Sequence, residues 1–145
     1  MFKHILLPVD GSEISPALIR AAVALAKETN AKVTGMHVVP EFRVFTYDAE
    51  MLEDTKEQYI QASKKHAQSC LAEIESVARI ADVKCETFYV TSDEPHEEIV
   101  KAAHERKCDL IVMAAHGRRG IKGLLIGSQT QKVLTYSDIP VLVYR

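Results

Sequence analysis

Residues 109–128, DLIVMAAHGRRGIKGLLIGS, place a short apolar run directly before a glycine-rich stretch that ends in a serine. The run Leu110-Ile111-Val112-Met113 is continuously apolar, which is typical of a strand covered by helices on both faces of a parallel sheet. Gly127-Ser128 precedes an amphipathic segment, and a serine at this position favours an N-cap. We therefore predict a strand, then a loop over His116–Gly127, then a helix.

Apolar runs and amphipathic segments also alternate along the rest of the chain, and together they predict a mostly parallel five-stranded sheet with helices on both faces. Ser15-Pro16 is typical of a helix start, with Ser15 as the cap and Pro16 at the first helical position. The predicted strands are His4–Val9, Lys32–Val39, Lys84–Thr91, Asp109–Ala115 and Ile139–Val143. The predicted helices begin at Ser15, Glu50, Pro95 and Ser128.

The bulk composition is that of an ordinary globular protein. The chain has 145 residues, of which 47% are hydrophobic and 26% charged, and its formal net charge is -2. This length predicts a single domain over residues 1–145, and the charge gives no indication of nucleic-acid binding. Without a signal-like segment or an apolar stretch of about 20 residues, we expect a cytoplasmic protein that does not enter a membrane. Cys70, Cys85 and Cys108 form no C-x-x-C pair, so we expect reduced thiols.

Loops that follow the strands are the places to look for a ligand, because open parallel sheets bind ligands beyond the carboxyl ends of their strands. The first such loop is Pro8-Val9-Asp10-Gly11-Ser12. A carboxylate there can accept hydrogen bonds from hydroxyl groups such as those of a ribose. The alternative is a simple turn in which Asp10 binds its own backbone.

The second loop follows the fourth predicted strand and contains four of the six glycines of the chain. Glycine lets the backbone approach an anion closely, and the free N–H groups at the start of the next helix favour phosphate. Arg118, Arg119 and Lys122 add positive charge, and His116 is the histidine that we expect near a ligand. The alternative is a flexible surface loop.

Motifs of several enzyme classes are missing. The sequence contains neither G-x-x-x-x-G-K-[ST] nor a G-x-G-x-x-G after the first strand. No Ser/His/Asp or Cys/His set and no group of metal ligands has a recognisable spacing, so we predict a protein that is not an enzyme. His37 is predicted to be a packed core residue, and His96 an exposed residue at a helix start.

Four segments resemble the universal stress protein family, and the similarity covers essentially the whole chain. They are Ile5–Ser12, Met36–Val39, Pro95–Val100 and Ser137–Val143. The ATP-binding branch of that family carries G-x2-G-x9-G-[ST]. Here the pattern aligns with Ala114, Gly117, Gly127 and Ser128 at the correct spacing, with alanine in place of the first glycine.

The resemblance implies a three-layer, Rossmann-like fold of the adenine nucleotide alpha hydrolase-like type, with strand order 3-2-1-4-5. It further implies bound ATP or AMP, with or without Mg²⁺. Asp10 then contacts ribose or phosphate, the backbone of Val38 meets the adenine edge, and Met113 lies beneath ribose and base. With the loop residues included, the predicted site residues are Pro8, Val9, Asp10, Val38, Met113, Ala114, His116, Gly117, Arg118, Gly127, Ser128, Gln129 and Thr130.

The resemblance also implies a homodimer formed by antiparallel pairing of the last strand, which contains Val141, Leu142 and Val143. The expected function is that of a dimeric sensor or signalling module in stress adaptation. Two alternatives stay open at this point. One is an interaction module of the same fold that binds no nucleotide, and the other is a small phosphate-ester hydrolase with Asp10 or His116 as the acid–base group.

Overall fold

A computed structural model describes residues 1–43, 49–116 and 126–145, with only the backbone at residues 49–52. Strands and helices alternate along these residues, close to the predicted positions. The strands are β1 (His4–Pro8), β2 (Lys32–Val39), β3 (Cys85–Thr91), β4 (Leu110–Ala114) and β5 (Val141–Tyr144). The helices are α1 (Ser15–Thr29), α2 (Ala49–Ile80), α3 (Pro95–Glu105) and α4 (Ser128–Tyr136).

The strands form one parallel sheet in the order β3-β2-β1-β4-β5. This confirms the α/β class, the Rossmann-like layering and the strand order that the resemblance implied. β1 is the central strand: His4 pairs with Lys32 of β2, and Ile5 pairs with Leu110 of β4. The chain therefore winds outward from β1 in one direction through β2 and β3, and in the other through β4 and β5.

Alternating side chains of β1 belong to two separate cores, one on each face of the sheet. Ile5 and Leu7 pack with residues of α1 and α2, and Leu6 packs with residues of α3 and α4. All three side chains are fully buried, and each such burial contributes about 1.5–3 kcal/mol relative to an exposed side chain. The continuous apolar run of a doubly covered strand is thus explained by the packing.

Both serine N-caps predicted from the sequence are wrong. α1 begins at Ser15 itself and α4 at Ser128 itself, the residues in the cap positions are Ile14 and Gly127, and no side chain caps either helix. Ser15 is buried, and its backbone N–H binds the carbonyl oxygen of Ser12 at 3.0 Å. At α1, a loop carbonyl therefore takes the place of the predicted hydroxyl cap.

The cysteines are free, as predicted. Cys70 and Cys108 are buried and Cys85 is half-buried. Burial raises the pKa of the Cys85 and Cys108 thiols to about 11, which keeps both protonated near neutral pH. Within residues 1–43, 49–116 and 126–145, no helix has both the length and the apolar composition to cross a bilayer.

A polar network is buried where β1 begins. His4 is only 4% exposed, and its Nε2 lies 2.6 Å from the hydroxyl oxygen of Thr34. Thr34 in turn donates to Glu86 at 3.1 Å, and the Asp109 carboxylate accepts the backbone N–H of His4 at 2.9 Å. Burial lowers the pKa of His4, and the nearby charge of Lys32 lowers it further.

This network predicts a loss of stability in mild acid. Because the folded pKa of His4 lies below its ordinary value of 6.5, the unfolded chain binds this proton more tightly than the folded chain does. The contribution of His4 to the free energy of unfolding is therefore complete above pH 6.5 and falls as the pH drops through that value. Urea unfolding between about pH 8 and pH 5 should show a smaller loss for His4→Gln than for the wild type.

Lys101→Gln provides the control, since it removes an exposed charge of α3 that does not titrate in this range and should keep the wild-type pH dependence of stability. An identical pH dependence in His4→Gln and in the wild type would show that the buried imidazole does not cause the acid sensitivity.

Candidate functional site

The carboxyl ends of β2, β1 and β4 lie side by side at one edge of the sheet. The register pairs Pro8 with Met36 and Leu6 with Ile111, so the loops after β1 and β4 leave the sheet at the same level. The following helices, α1 and α4, pack on opposite faces. A crevice forms where neighbouring chains turn away from each other in this manner. The predicted site residues that the structure brings to this edge are Pro8, Val9, Asp10, Val38, Met113, Ala114, His116, Gly127 and Ser128.

The loop after β1 is a tight turn around Asp10. Its Oδ1 accepts the backbone N–H of Ser12 at 2.9 Å, and Gly11 adopts a positive φ of 78°. The turn considered as the alternative interpretation is therefore present. It does not compete with a ligand-binding role, because the turn itself fixes the position of the half-buried carboxylate at the edge of the sheet.

Two side chains of α2 lie directly beneath this turn. A Cβ added to Gly11 would stand 2.9 Å from Sγ of Cys70 and 2.9 Å from Cε1 of His66. His66 also packs edge-on against His37, with ring centroids 5.3 Å apart, and Nδ1 of His37 lies 2.8 Å from the carbonyl oxygen of Val9. The loop is thus supported from below by α2 and from the side by β2.

His37 is 5% exposed, which confirms its prediction as a packed core residue. The sequence reasoning missed the supporting role of His66 and Cys70. Their i, i+4 spacing places them on one face of α2, but nothing local indicates that this face meets the turn at Gly11.

The start of α4 is bound to the end of β4 by two hydrogen bonds. The backbone N–H of Gly127 donates to the carbonyl oxygen of Ala115 at 2.6 Å, and the hydroxyl of Thr130 donates to that of Ala114 at 2.8 Å. The first backbone bond into the helix runs from Gln131 N–H to Gly127 O at 3.0 Å. The amides of residues 128–130 precede this bond, so they and the helix dipole favour an anion at the crevice.

The Gln129 side chain is turned away from this helix start. Its Oε1 accepts the backbone N–H of His96, at the start of α3, at 3.1 Å. The Thr130 hydroxyl is likewise held by its bond to β4, and the residue is 4% exposed. Among the predicted phosphate-binding residues, Gln129 and Thr130 can thus contribute their backbone amides, while their side chains connect structural elements.

His96 is not the exposed helix-start residue that the sequence predicted. It is only 9% exposed, and its ring packs on Tyr136 of α4 with centroids 5.6 Å apart. Because α3 and α4 lie side by side on one face of the sheet, the first turn of α3 is covered by α4. The prediction failed because it considered α3 alone.

Two buried polar atoms at the crevice have no hydrogen-bond partner within the described ranges. They are Oγ of Ser12, in the loop after β1, and Nδ1 of His116, two residues after the end of β4. An unsatisfied buried polar atom costs about 1–3 kcal/mol. These atoms occupy the two loops that flank the crevice, which suits a polar ligand there. Of the other predicted site residues, Gly117 and Arg118 lie outside the described residues, as do Arg119 and Lys122.

The part of the chain that the structure describes contains no group of three or more His, Cys, Asp or Glu side chains arranged to hold a metal ion. The polar groups gathered at the crevice are instead one carboxylate, backbone amides, a hydroxyl and an imidazole. Such a set accepts and donates hydrogen bonds to a ligand that carries both hydroxyl groups and negative charge.

These features define a doubly wound α/β domain. Its carboxylate turn and its helix start follow the two neighbouring strands, β1 and β4, at which the strand order reverses. The model of the universal stress protein family matches residues 1–145. The chain is 34% identical to universal stress protein YxiE of Bacillus subtilis, an alignment that covers all of both chains. The protein belongs to the universal stress protein family, as the resemblance implied.

Solved structures show the same fold. The structure of the MJ0577 protein, from Methanocaldococcus jannaschii, has a TM-score of 0.84 and 30% identity, with 99% of this chain and 95% of that chain covered. A universal stress protein in complex with cAMP has a TM-score of 0.67 and 23% identity over 99% and 97% of the two chains. One from Archaeoglobus fulgidus in complex with dAMP has a TM-score of 0.66 and 21% identity over 99% and 98%.

The bond between Thr130 and Ala114 predicts a stability difference between two substitutions of similar size. Thr130→Val removes the hydroxyl from a buried position, so the free energy of unfolding should fall by about 1–2 kcal/mol. Thr130→Ser keeps the donor and should lose less. Urea unfolding of the three proteins measures the difference. If Thr130→Val were as stable as Thr130→Ser, the bond would not hold α4 to β4.

Proposed function

We propose that this protein binds an adenine nucleotide, ATP or AMP, in the crevice between the Asp10 turn and the start of α4. The observation that carries the proposal is the placement of the first amides of α4. Gly127 and Thr130 bind the end of β4, and β4 pairs with β1, the strand that leads into the Asp10 turn, at the point where the strand order reverses. A helix start so placed is suited to phosphate.

The remaining groups at the edge suit the rest of the nucleotide. Asp10 offers a carboxylate to ribose hydroxyls, and the backbone of Val38 lies two residues beyond the Pro8–Met36 pair, at the level of Asp10. Each amide bond to a charged phosphate contributes about 1.5–3 kcal/mol, so three of them supply about 4.5–9 kcal/mol before ordering costs. Contacts to the ribose and the base supply the rest of an affinity of about micromolar order. When ATP is the ligand, Mg²⁺ would be held mainly by phosphate and water, with Asp10 as the carboxylate at this edge.

Ala114 occupies the first glycine position of the ATP-binding motif and does not oppose the proposal. The non-glycine residues with positive φ in the described chain are Asn30, Asp82 and Lys107, so Ala114 has ordinary strand geometry. An alanine side chain at a strand end requires no unusual backbone conformation. Two distant family members were solved with cAMP and with dAMP, which supports an adenine nucleotide as the ligand in this proposal.

In this proposal the protein is a nucleotide-dependent sensor or signalling module, with ATP hydrolysis slow or absent. Binding through backbone amides and a carboxylate that holds a turn needs no catalytic group. The setting is the cytoplasm, where adenine nucleotides are available and three free cysteines stay reduced.

Calorimetric titration with ATP and AMP tests the proposal. The wild type should bind with a Kd of about micromolar order. Gly127→Val should raise the Kd about tenfold or more, because a branched side chain then stands beside the first amides of α4. Asp10→Asn should raise it about threefold to tenfold, since the amide oxygen keeps the bond to Ser12 but accepts a ribose hydroxyl more weakly.

Asp138→Asn is the matched control for Asp10→Asn, because the exposed Asp138 pairs with His104 away from the crevice and should leave affinity unchanged. No binding at about 1 mM nucleotide would rule the proposal out. Asp10→Asn with unchanged affinity but lost nucleotide hydrolysis would instead favour a phosphate-ester hydrolase.

We also propose a homodimer formed through β5, the strand at one open edge of the sheet. The carbonyl oxygens of Pro140 and Tyr144 accept N–H groups of Ile111 and Ala115. Alternate residues of a strand point their backbone groups to opposite sides, so Val141 and Val143 point theirs away from β4. An unprotected edge of this kind can pair with a second copy of the same strand.

Val143→Pro tests the dimer. It removes an outward N–H from an edge strand without removing a bond to β4, so the variant should stay folded and become monomeric. Leu142→Pro is the contrasting control, because it removes an inward N–H and should destabilise the fold. Sedimentation equilibrium and urea unfolding measure the two effects. A monomeric wild type, or a dimeric Val143→Pro, would refute pairing through β5.

A further inference from the structure

A cavity of about 950 Å³ opens at the amino edge of the sheet, at the opposite end from the Asp10 turn. The basic side chains that line it are Lys3, Lys27, Lys32, Arg79 and Lys84. The acidic side chains that line it are Glu75 and Asp82. The cavity therefore concentrates three excess positive charges, although the whole chain has a formal net charge of -2.

Three of these cations stand at the starts of three adjacent strands. Lys3 directly precedes β1, Lys32 opens β2, and Lys84 directly precedes β3. Backbone bonds hold them next to one another: Lys32 N–H donates to Lys3 O at 3.1 Å, and Val33 N–H donates to Lys84 O at 2.9 Å. Adjacent strands lie about 4.8 Å apart, so the backbones of these exposed residues lie close together, and we call the three the lysine row. The register places Lys32 level with Lys84, so these two side chains leave the same face of the sheet.

Among the residues that the structure describes, the lysine row has no ionic partner that would explain it as part of the fold. Within the described residues, none of its three ammonium groups lies within ion-pair distance of a carboxylate. The Glu75 carboxylate accepts the Thr87 hydroxyl instead. Like charges beside each other on neighbouring strands are destabilising.

The other two cations have a structural explanation that does not extend to the lysine row. Lys27 lies in the last turn of α1 and Arg79 in the last turn of α2, where a positive charge complements the helix carbonyls. The lysine row lies on strand starts, which have no comparable dipole. Its field reaches the interior, because the charge of Lys32 contributes to the lowered pKa of the buried His4.

We propose that the lysine row binds a small polyphosphate anion, a chain of three or more phosphates, at a site separate from the carboxyl edge. Ammonium groups bind phosphate as compact point charges. The cavity volume is in the range of small-molecule sites. No aromatic ring belongs to the described lining, so the wall offers no surface on which a base could stack. The recognised group is thus the phosphate chain.

Calorimetric titration with inorganic tripolyphosphate at low salt tests this site. The wild type should bind, and the affinity should fall steeply as salt is added. The double variant Lys32→Gln/Lys84→Gln should bind at least about tenfold more weakly, while Lys101→Gln, on the exposed side of α3, should bind like the wild type. Without ligand, the double variant should be as stable as the wild type or more stable, because two like charges are removed.

The pKa of His4 supplies a second readout, which does not depend on the heat of binding that calorimetry measures. Tripolyphosphate should raise the pKa of His4, followed by its ring-proton NMR signals, by offsetting the charge of Lys32. The other charged groups that act on His4 are Glu86 and Asp109, and neither changes in the double variant. The rise should therefore be present in the wild type and much smaller in Lys32→Gln/Lys84→Gln.

Four results would overturn the proposal. The first is no binding at about 1 mM tripolyphosphate. The second is binding that survives in the double variant but is lost in Gly127→Val, which would place the anion at the carboxyl edge. The third is tighter binding of an acidic peptide or an RNA oligomer of equal charge. The fourth is lower stability of the double variant without ligand, which would give the lysines a structural role.

Discussion

Parallel pairing of β1 with β2 on one side and β4 on the other is the constraint on which the rest of the structure depends. Parallel neighbours cannot be joined by a tight turn, so each connection must cross over the sheet as a helix. Because both neighbours pair with the same strand, the two series of crossovers proceed in opposite directions and cover opposite faces. The crevice at the carboxyl edge and the apolar composition of β1 both follow from this arrangement.

The groups that position the crevice are mostly not the groups that would touch a ligand. Because Gly11 has no side chain, the Asp10 turn can lie close against His66 and Cys70 of α2, where a Cβ atom would not fit. The Thr130 hydroxyl fixes α4 to β4, and the Gln129 side chain joins α4 to α3. Side chains are thus used for rigidity, which leaves backbone amides for the anion. An anion site made of backbone amides depends on such support, because amides have no freedom to adjust.

The sequence predicted the strands and helices well because each has a local cause. Continuous apolar runs marked β1 and β4, and helical spacing marked the helices. The order of the strands came from the family resemblance, since periodicity does not determine which strands are neighbours. At Ser15 and Ser128 the helix begins one residue earlier than the cap pattern predicted, whereas at His96 the covering helix α4 is distant in sequence.

The candidate site also contains some features that have a local cause in the sequence and others that depend on distant packing. Asp10 and Gly127-Ser128 could be chosen from their positions after strands, because the binding edge of a parallel sheet follows from topology alone. The support from His66 and the orientation of Gln129 could not, since both need the packing of α2 and α3. The lysine row was also invisible in the sequence. Its members are far apart along the chain, and only the strand register brings them together.

The protein has two candidate anion sites at opposite ends of the sheet: a nucleotide crevice at the carboxyl edge and a basic cavity at the amino edge. The ¹H–¹⁵N spectrum of the isotopically labelled protein, recorded as AMP is added, tests the location of the nucleotide most directly. Shift changes should concentrate at the amides of Gly11 and Ser12 and of residues 128–130, with little change at Lys3, Lys32 and Lys84. Changes confined to the amino edge, or no change at about 1 mM AMP, would contradict the crevice as the nucleotide site.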